Sequence, residues 1–374
     1  MKLGIGLYRH MLSADHYAFA KQCGCSHVVI HYCDYFNNKN LELAEERYDQ
    51  PTDSLNGWGY AGNPDKIWTA EELIAIREEI NSYGLEVAAV ENFDPAHWHD
   101  VLLDGPEKVE QIEKLKTIIR NVGKAGIPCI GYNFSLAGVT SRVKGKFARG
   151  NAISVGMNSV NQTPLPNGMV WNMIYNVNAP NGTIPPISHE ELWNRLQYFL
   201  DELLPVAEEA GVVLAAHPDD PPVETLRGTP RLVYQPWMYQ KLLDMHKSRY
   251  NQLELCIGSL AEMTEGDVYE SIDQYSKQKK IGYVHFRNVK GKVPNYKESF
   301  VDDGDVDMLR ILQILRKNEF DGVLIPDHTP QMSCPAPWHA GMAFALGYMR
   351  AALQSMEKFK DQEVNTFNSN EENR

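Results

Sequence analysis

Two histidines, a cysteine and an aspartate each close a short apolar run in this 374-residue chain. Val212–Ala216 runs into His217, Leu253–Leu255 into Cys256, Ile281–Val284 into His285, and Gly322–Pro326 into Asp327. Runs of this length read as buried strands. The ligand-type residues are 39 (256 − 217), 29 (285 − 256) and 42 (327 − 285) positions apart. A strand with its returning helix takes about 30 or more residues. One such side chain therefore falls in each successive unit, always at the carboxyl end of the strand. In a (β/α)8 barrel those ends converge on the face that carries the active site. Taken singly, a histidine ending a strand is more often structural, and a cysteine in an apolar run is usually a small hydrophobe. Four together on one face predict a metal centre. A mixed set with open positions suits a catalytic Lewis acid better than a closed structural site. Ligand softness leaves the ion open, because imidazole, thiolate and carboxylate favour different metals.

Neighbouring residues add chemistry. Arg287 lies two positions beyond His285, so both can point the same way along one strand. Its guanidinium is a candidate clamp for a substrate carboxylate, and pairing with a nearby acid is the plainer alternative. His328 follows Asp327 and is a candidate general acid or base, since imidazole titrates near neutrality; orienting a ligand is its alternative role. The acids of His217-Pro218-Asp219-Asp220-Pro221-Pro222 are expected to orient His217 through its other ring nitrogen. In Asp302-Asp303-Gly304-Asp305, Asp305 is expected to cap a helix.

The elements that must position these residues alternate along the chain. Strands are predicted at 3–7, 27–32, 85–91, 129–134, 212–217, 253–257, 281–287 and 322–327. Helices are predicted near 13–22, 69–83, 106–125, 188–210, 235–246, 266–277, 305–317 and 338–355. Thr69-Ala70-Glu71-Glu72 has an N-cap followed by acids in the first turn. Ile112, Leu115, Ile118, Ile119 and Val122 fall on one face at a 3.6-residue period. Strict alternation argues for a parallel α/β protein. No Gly-x-Gly-x-x-Gly follows the first strand, where Gly4-Ile5-Gly6 is only a fragment of that motif. A single (β/α)8 barrel over residues 1–358 is the expected fold, with a polar tail at 359–374. Residues 37–66 read as a long loop. Residues 135–186, rich in Gly, Asn, Pro and Thr, read as an irregular lid-like insertion on the catalytic face.

Composition narrows the partners. The chain is 43% hydrophobic and 23% charged, ordinary for a globular protein. Its net charge of −13 argues against nucleic acid or an anionic membrane surface. No apolar run approaches the roughly 20 residues of a membrane span. The first residues, Met1-Lys2-Leu3-Gly4-Ile5-Gly6-Leu7, read as a strand rather than a signal peptide. A cytoplasmic setting with free thiols is expected for the six cysteines, as is a homo-oligomer acting on a small molecule.

At these motifs the chain resembles the mannonate dehydratase family of xylose-isomerase-like barrels. The segments that carry the resemblance are Tyr132-Asn133-Phe134, His217-Pro218-Asp219-Asp220-Pro221-Pro222, Leu255-Cys256-Ile257-Gly258-Ser259-Leu260, His285-Phe286-Arg287-Asn288-Val289, Asp303-Gly304-Asp305-Val306-Asp307-Met308 and Pro326-Asp327-His328. The resemblance spans roughly residues 85–355. It implies a divalent ion, usually manganese or iron, held by His217, Cys256, His285 and Asp327. It implies dehydration of the sugar acid D-mannonate to 2-keto-3-deoxy-D-gluconate, with a metal-dependent isomerase or epimerase of a neutral sugar as the alternative on the same barrel. A non-catalytic sugar-binding relative is the third reading. Some family segments differ. The Trp-Tyr-Gly segment appears as Leu7-Tyr8-Arg9-His10, and the Trp-Thr-Arg stretch as Val139-Thr140-Ser141-Arg142. The Pro-Gly-Tyr segment, with a tyrosine implicated in catalysis, appears as Pro335-Ala336-Pro337-Trp338, and the arginine that follows as Met342. The missing acid then falls to Tyr8, His10, His31 or His339, on a divergent member acting on another sugar acid.

Overall fold

The computed structural model describes residues 1–36 and 57–371, with side chains through residue 358. Residues 37–56 of the expected first loop lie outside the described residues. Eight parallel strands close into a barrel. They are β1 (Lys2–Tyr8), β2 (His27–His31), β3 (Glu86–Glu91), β4 (Cys129–Tyr132), β5 (Val213–Ala216), β6 (Asn251–Cys256), β7 (Ile281–His285) and β8 (Val323–Ile325). Each strand pairs with its sequence neighbours, and β8 returns to β1 through Lys2↔Val323 and Leu3↔Leu324.

The period of two along each strand decides what reaches the rim. Val29, Ala89, Cys129, Ala215, Tyr283, Val323 and Ile325 form one buried cluster, separate from the larger core beneath the helices. These seven fill the bore. Two positions on from five of them stand Val29→His31, Ala89→Glu91, Ala215→His217, Tyr283→His285 and Ile325→Asp327 in sequence. Register adds the rest: Cys256 pairs with His285 across β6 and β7, and Tyr8 with His31 across β1 and β2. Bulk in the bore and chemistry at the mouth thus come from one alternation.

Eight main helices form the outer layer: α1 (Ala14–Gln22), α2 (Ala70–Ser82), α3 (Lys108–Lys124), α4 (His189–Ala210), α5 (Met238–Met245), α6 (Val268–Lys277), α7 (Met308–Lys317) and α8 (Pro337–Glu371). The predicted stripe of α3, from Ile112 to Val122, is fully buried. Thr69 and Glu72 form a reciprocal capping box at the start of α2, and Ser188 and Glu191 do so for α4. The cap of α7 is Asp307, whose carboxylate accepts from the Leu309 and Arg310 amides. The expectation for Asp305 is corrected: its carboxylate accepts from the Gly291 amide instead. The last helix continues well past its expected end near residue 355. No helix among the described residues is long and apolar enough to cross a membrane.

The segment 135–186 is more regular than its composition suggests. Val143–Ala148 and Ala152–Met157 form a hairpin, turned through Gly150 and Asn151 at positive φ. That hairpin joins a second, unpredicted one, Asn288–Lys292 with Asn295–Ser299, in a four-stranded antiparallel sheet. Met169–Val170 and Met173–Ile174 pair with each other, and the latter with Gly59–Tyr60. Buried Arg231 ties the insertion to the β5 loop. Its Nη1 donates to Ser135 Oγ at 2.7 Å and to the Gly138 carbonyl at 2.8 Å, while Nε lies 2.9 Å from Asp219.

Candidate active site and metal centre

His217, Cys256 and His285 each offer a ligand atom, all within 4.8 Å of one another. Asp327 reaches the same imidazole, its Oδ2 3.5 Å from His285 Nδ1. The residue sits at φ 66°, a left-handed backbone for a non-glycine. Such strain concentrates at functional sites, where the surrounding structure enforces it. The four expected ligands are therefore gathered at one end of the barrel.

Their electrostatics suit a cation. Burial works against charge on Cys256, yet Arg287 and hydrogen bonds from both imidazoles hold its thiol well below the ordinary 9.0. The Ser259 amide adds a contact to Sγ at 3.4 Å. A thiolate is the form that binds metal. Burial likewise opposes a proton on His285, but Asp327, Glu91 and Glu254 push its pKa well up. His285 Nδ1 is buried without a hydrogen bond of good geometry. A buried ring nitrogen set beside a thiolate and a carboxylate, with no hydrogen bond of good geometry, has the surroundings of a metal ligand. The donor set fits the expected divalent ion.

His217 is oriented differently from expectation. Its Nδ1 donates to the Pro218 carbonyl at 2.7 Å, so the peptide of its own turn sets the ring. The adjacent acids are engaged elsewhere: Asp219 accepts from the Leu232 and Val233 amides, and Asp220 faces Arg287 at 2.8 Å. On the other imidazole, Nε2 lies 3.2 Å from Glu91 Oε2 and 3.1 Å from Glu254 Oε1. Burial disfavours ionisation of both acids. His31 and His285 nevertheless pull Glu91 below the usual carboxylate range, while burial and the nearby Glu91 charge push Glu254 up. One charge with one proton is the stable state of two carboxylates so close.

Arg287 is occupied by the protein's own acids. Its nitrogens lie 2.8 Å from Asp220, 3.3 Å from Glu262, 2.7 Å from Glu298 and 3.2 Å from Asp327. Nη2 also stands 3.3 Å from Cys256 Sγ. This geometry matches the pairing alternative, with the guanidinium bracing the thiolate and the acids. His328 lies between two carboxylates, Nδ1 2.6 Å from Glu298 and Nε2 3.2 Å from Asp327. Burial lowers its proton affinity, but those two acids raise the pKa overall.

His217, His285 and Asp327 open onto a cavity that His328 also lines. Tyr8, His31, Tyr35, Trp58 and Trp171 form an aromatic wall, and Asn92, Asn133 and Arg142 add polar groups. Trp58, Trp171 and Arg142 come from segments outside the barrel. Arg142 is 2% exposed, and its Nε and Nη2 have no hydrogen-bond partner among the described residues. Its nearest acid contact is Nη1 to Glu298 at 3.8 Å.

A description of the D-mannonate dehydratase (UxuA) family matches residues 35–363. The mannonate dehydratase of Streptococcus pneumoniae (strain 70585) is 31% identical over 285 residues, covering 70% of this chain and 75% of that protein. The chain belongs to the mannonate dehydratase family. It is thereby a member of a hydro-lyase family. Among solved structures, the mannonate dehydratase from Streptococcus suis serotype 2 superposes with a TM-score of 0.70 at 23% identity, covering 94% of this chain and 93% of that one. An L-ribulose 3-epimerase superposes with a TM-score of 0.53 at 14% identity, covering 96% and 97%. At these identities the two structures share the barrel.

Within this family member, several residues of the site escaped the sequence reading. Glu91 and Glu254 were not singled out, though a signal exists. Glu91 ends its strand as the ligands do, and Glu254 precedes Cys256 by two on the same face. Glu262 and Glu298, which grip Arg287, carry no comparable signal. Their places depend on a short helix, Ile257–Glu262, and on the second hairpin.

Proposed function

We propose that this chain removes water from D-mannonate to give 2-keto-3-deoxy-D-gluconate, with manganese or iron(II) held by His217, Cys256, His285 and Asp327. The observation that carries the reading is one cavity lined by His217, His285 and Asp327, with Cys256 within ligand reach of both histidines, and by Arg142, a buried cation with two nitrogens that make no hydrogen bond among the described residues. The ion, when bound, supplies Lewis-acid stabilisation to charge developing on the substrate carboxylate. Arg142 supplies a second cation, fixed in advance in a site walled off from water. It takes the clamp role first considered for Arg287. Arg287 keeps the thiolate ionised and the surrounding acids in position. His328, held by Glu298 and Asp327, exchanges a proton with the substrate. A neutral sugar would offer no anionic acceptor to the two Arg142 nitrogens that make no hydrogen bond among the described residues, which favours an acid as substrate.

The test is turnover of D-mannonate by metal-free protein reloaded with manganese, following 2-keto-3-deoxy acid. The expected result is product, and a KM raised by roughly ten- to a hundredfold in Arg142→Met, the scale of a lost charge-assisted hydrogen bond. No product from fully loaded protein, with turnover of a ketose instead, would replace the dehydratase by an isomerase or epimerase.

A further inference from the structure

Dehydration next to a carboxylate needs a group that takes the proton from C2, and the inference that follows rests on the dehydratase reading. We propose that His31 is that base, accepting the C2 proton on Nε2 while Glu91 steadies the imidazole through Nδ1.

Four residues could stand in for the tyrosine that Pro335-Ala336-Pro337-Trp338 lacks. Tyr8 and His31 line the cavity. His10 instead packs edge-on to Phe36, and His339 lies against His16, Phe19 and Trp338. Between the two on the cavity, an imidazole is the better acceptor near neutral pH, since a phenol must first lose a proton at about pH 10.

The placement of His31 follows from the alternation of β2. Two residues beyond Val29 of the bore, it stands at the mouth, across the ring from the β6 end that carries Cys256. Nδ1 lies 3.4 Å from the Tyr35 hydroxyl and 3.5 Å from Glu91 Oε1. Nε2 lies over Gly6, where a Cβ would stand only 3.4 Å from it. Among the described residues Nε2 makes no hydrogen bond and is not one of the fully buried polar atoms, so that edge of the ring is reachable. The other oxygen of Glu91 is 3.2 Å from His285 Nε2, so one carboxylate braces the proposed base and a metal-side imidazole together. The ionised Glu91 carboxylate near Nδ1 favours the tautomer with its proton there and the Nε2 lone pair free, and stabilises the imidazolium once the proton arrives. Burial holds the His31 pKa below its ordinary 6.5 despite Glu91, so the ring meets substrate neutral.

The step balances without an oxidant or reductant. The C2–H bond breaks and its proton goes to His31 Nε2. The released pair becomes the C2–C3 double bond as the C3–O bond breaks. The departing hydroxide takes a proton from the wall that carries His328 and leaves as water. The enol formed takes a proton on C3 and gives up the one on its C2 hydroxyl, which leaves the 2-keto-3-deoxy acid.

The experiment compares the manganese-loaded protein with His31→Ala and His31→Asn, using D-mannonate carrying hydrogen or deuterium at C2. Loss of a general base predicts turnover lower by about 10²- to 10⁴-fold, with metal content and KM unchanged in both variants. Free imidazole is expected to restore part of the rate in His31→Ala, and the restored rate to show an isotope effect from C2 deuterium. A rate within a few-fold of the parent in His31→Asn, whose smaller side chain preserves the site if alanine does not fold, overturns the assignment. So does a loss that comes with lost metal or weaker substrate binding and no rescue, because His31 would then only shape the site. Failure of the unsubstituted, loaded protein to form product overturns the dehydratase reading first, and the base with it.

Discussion

At the residue scale, Cys256 shows how a buried thiol is held in the thiolate form that a metal would need. Inside a barrel it would stay protonated, as burial pushes the Cys129 thiol well up in the same bore. Arg287 Nη2 at 3.3 Å, the Ser259 amide and two imidazoles reverse that preference. Replacing Cys256 with serine keeps the size and removes the thiolate. Metal affinity is expected to fall by more than the roughly 10- to 100-fold that losing a supporting contact costs. Elemental analysis after gel filtration reads this directly, and unchanged metal content would show that the ligand set is different. The four ligand-type residues were legible because each combines a donor chemistry with a strand end. Arg142 was not, because an arginine in a polar insertion is ordinarily solvated, and only the folded cap encloses it.

At the element scale, the barrel was legible and the cap was not. Strands such as Ile281–His285 announce themselves by unbroken apolar runs, since both faces are covered. Val143–Ala148 reads Val-Lys-Gly-Lys-Phe-Ala and is half exposed, so its composition resembles a loop. It is a strand because it pairs with Ala152–Met157, which in turn meets Asn295–Ser299 from a distant loop. The insertion is anchored where Arg231 joins Asp219, Ser135 and Gly138. Arg231→Met would leave the 2%-exposed Asp219 without its cation. Breaking one partner of a buried pair costs about 3–5 kcal/mol, and urea unfolding is expected to show a loss of that size. A change below about 1 kcal/mol would mean that the backbone amides of Leu232 and Val233 satisfy Asp219 on their own.

At the scale of the whole molecule, acids crowd the barrel mouth, and two buried arginines keep Asp220 among them ionised. Burial alone would raise the Asp220 pKa, but Arg287 and Arg142 hold it down to about 2 from an ordinary 3.8. A depressed carboxylate contributes stability that is present above its unfolded pKa and lost as pH falls through the folded one. For Asp220 that window is pH 4 to 2, and the contribution is roughly 2 kcal/mol. Asp220→Asn is therefore expected to lower stability at pH 7 and to flatten its decline between pH 4 and 2. Denaturant unfolding across that range measures both. A decline as steep in the variant as in the parent would place the acid sensitivity in other groups.

The sequence by itself determined the barrel, because a covered parallel sheet demands continuous apolar strands at intervals that leave room for helices. It also determined the four ligand-type residues, because period two carries each strand's last inward residue to the mouth. Tertiary structure alone decided the roles around them. Arg287 became a brace because Glu262 and Glu298 arrive from a helix and a hairpin that no local pattern announces. His217 is set by the carbonyl of Pro218 because its neighbouring acids are drawn to Arg231 and Arg287. His31 and Arg142 entered the cavity through closure of the ring and folding of the cap. Contacts between distant segments reward only the assembled fold, so short-range pattern carries no trace of them.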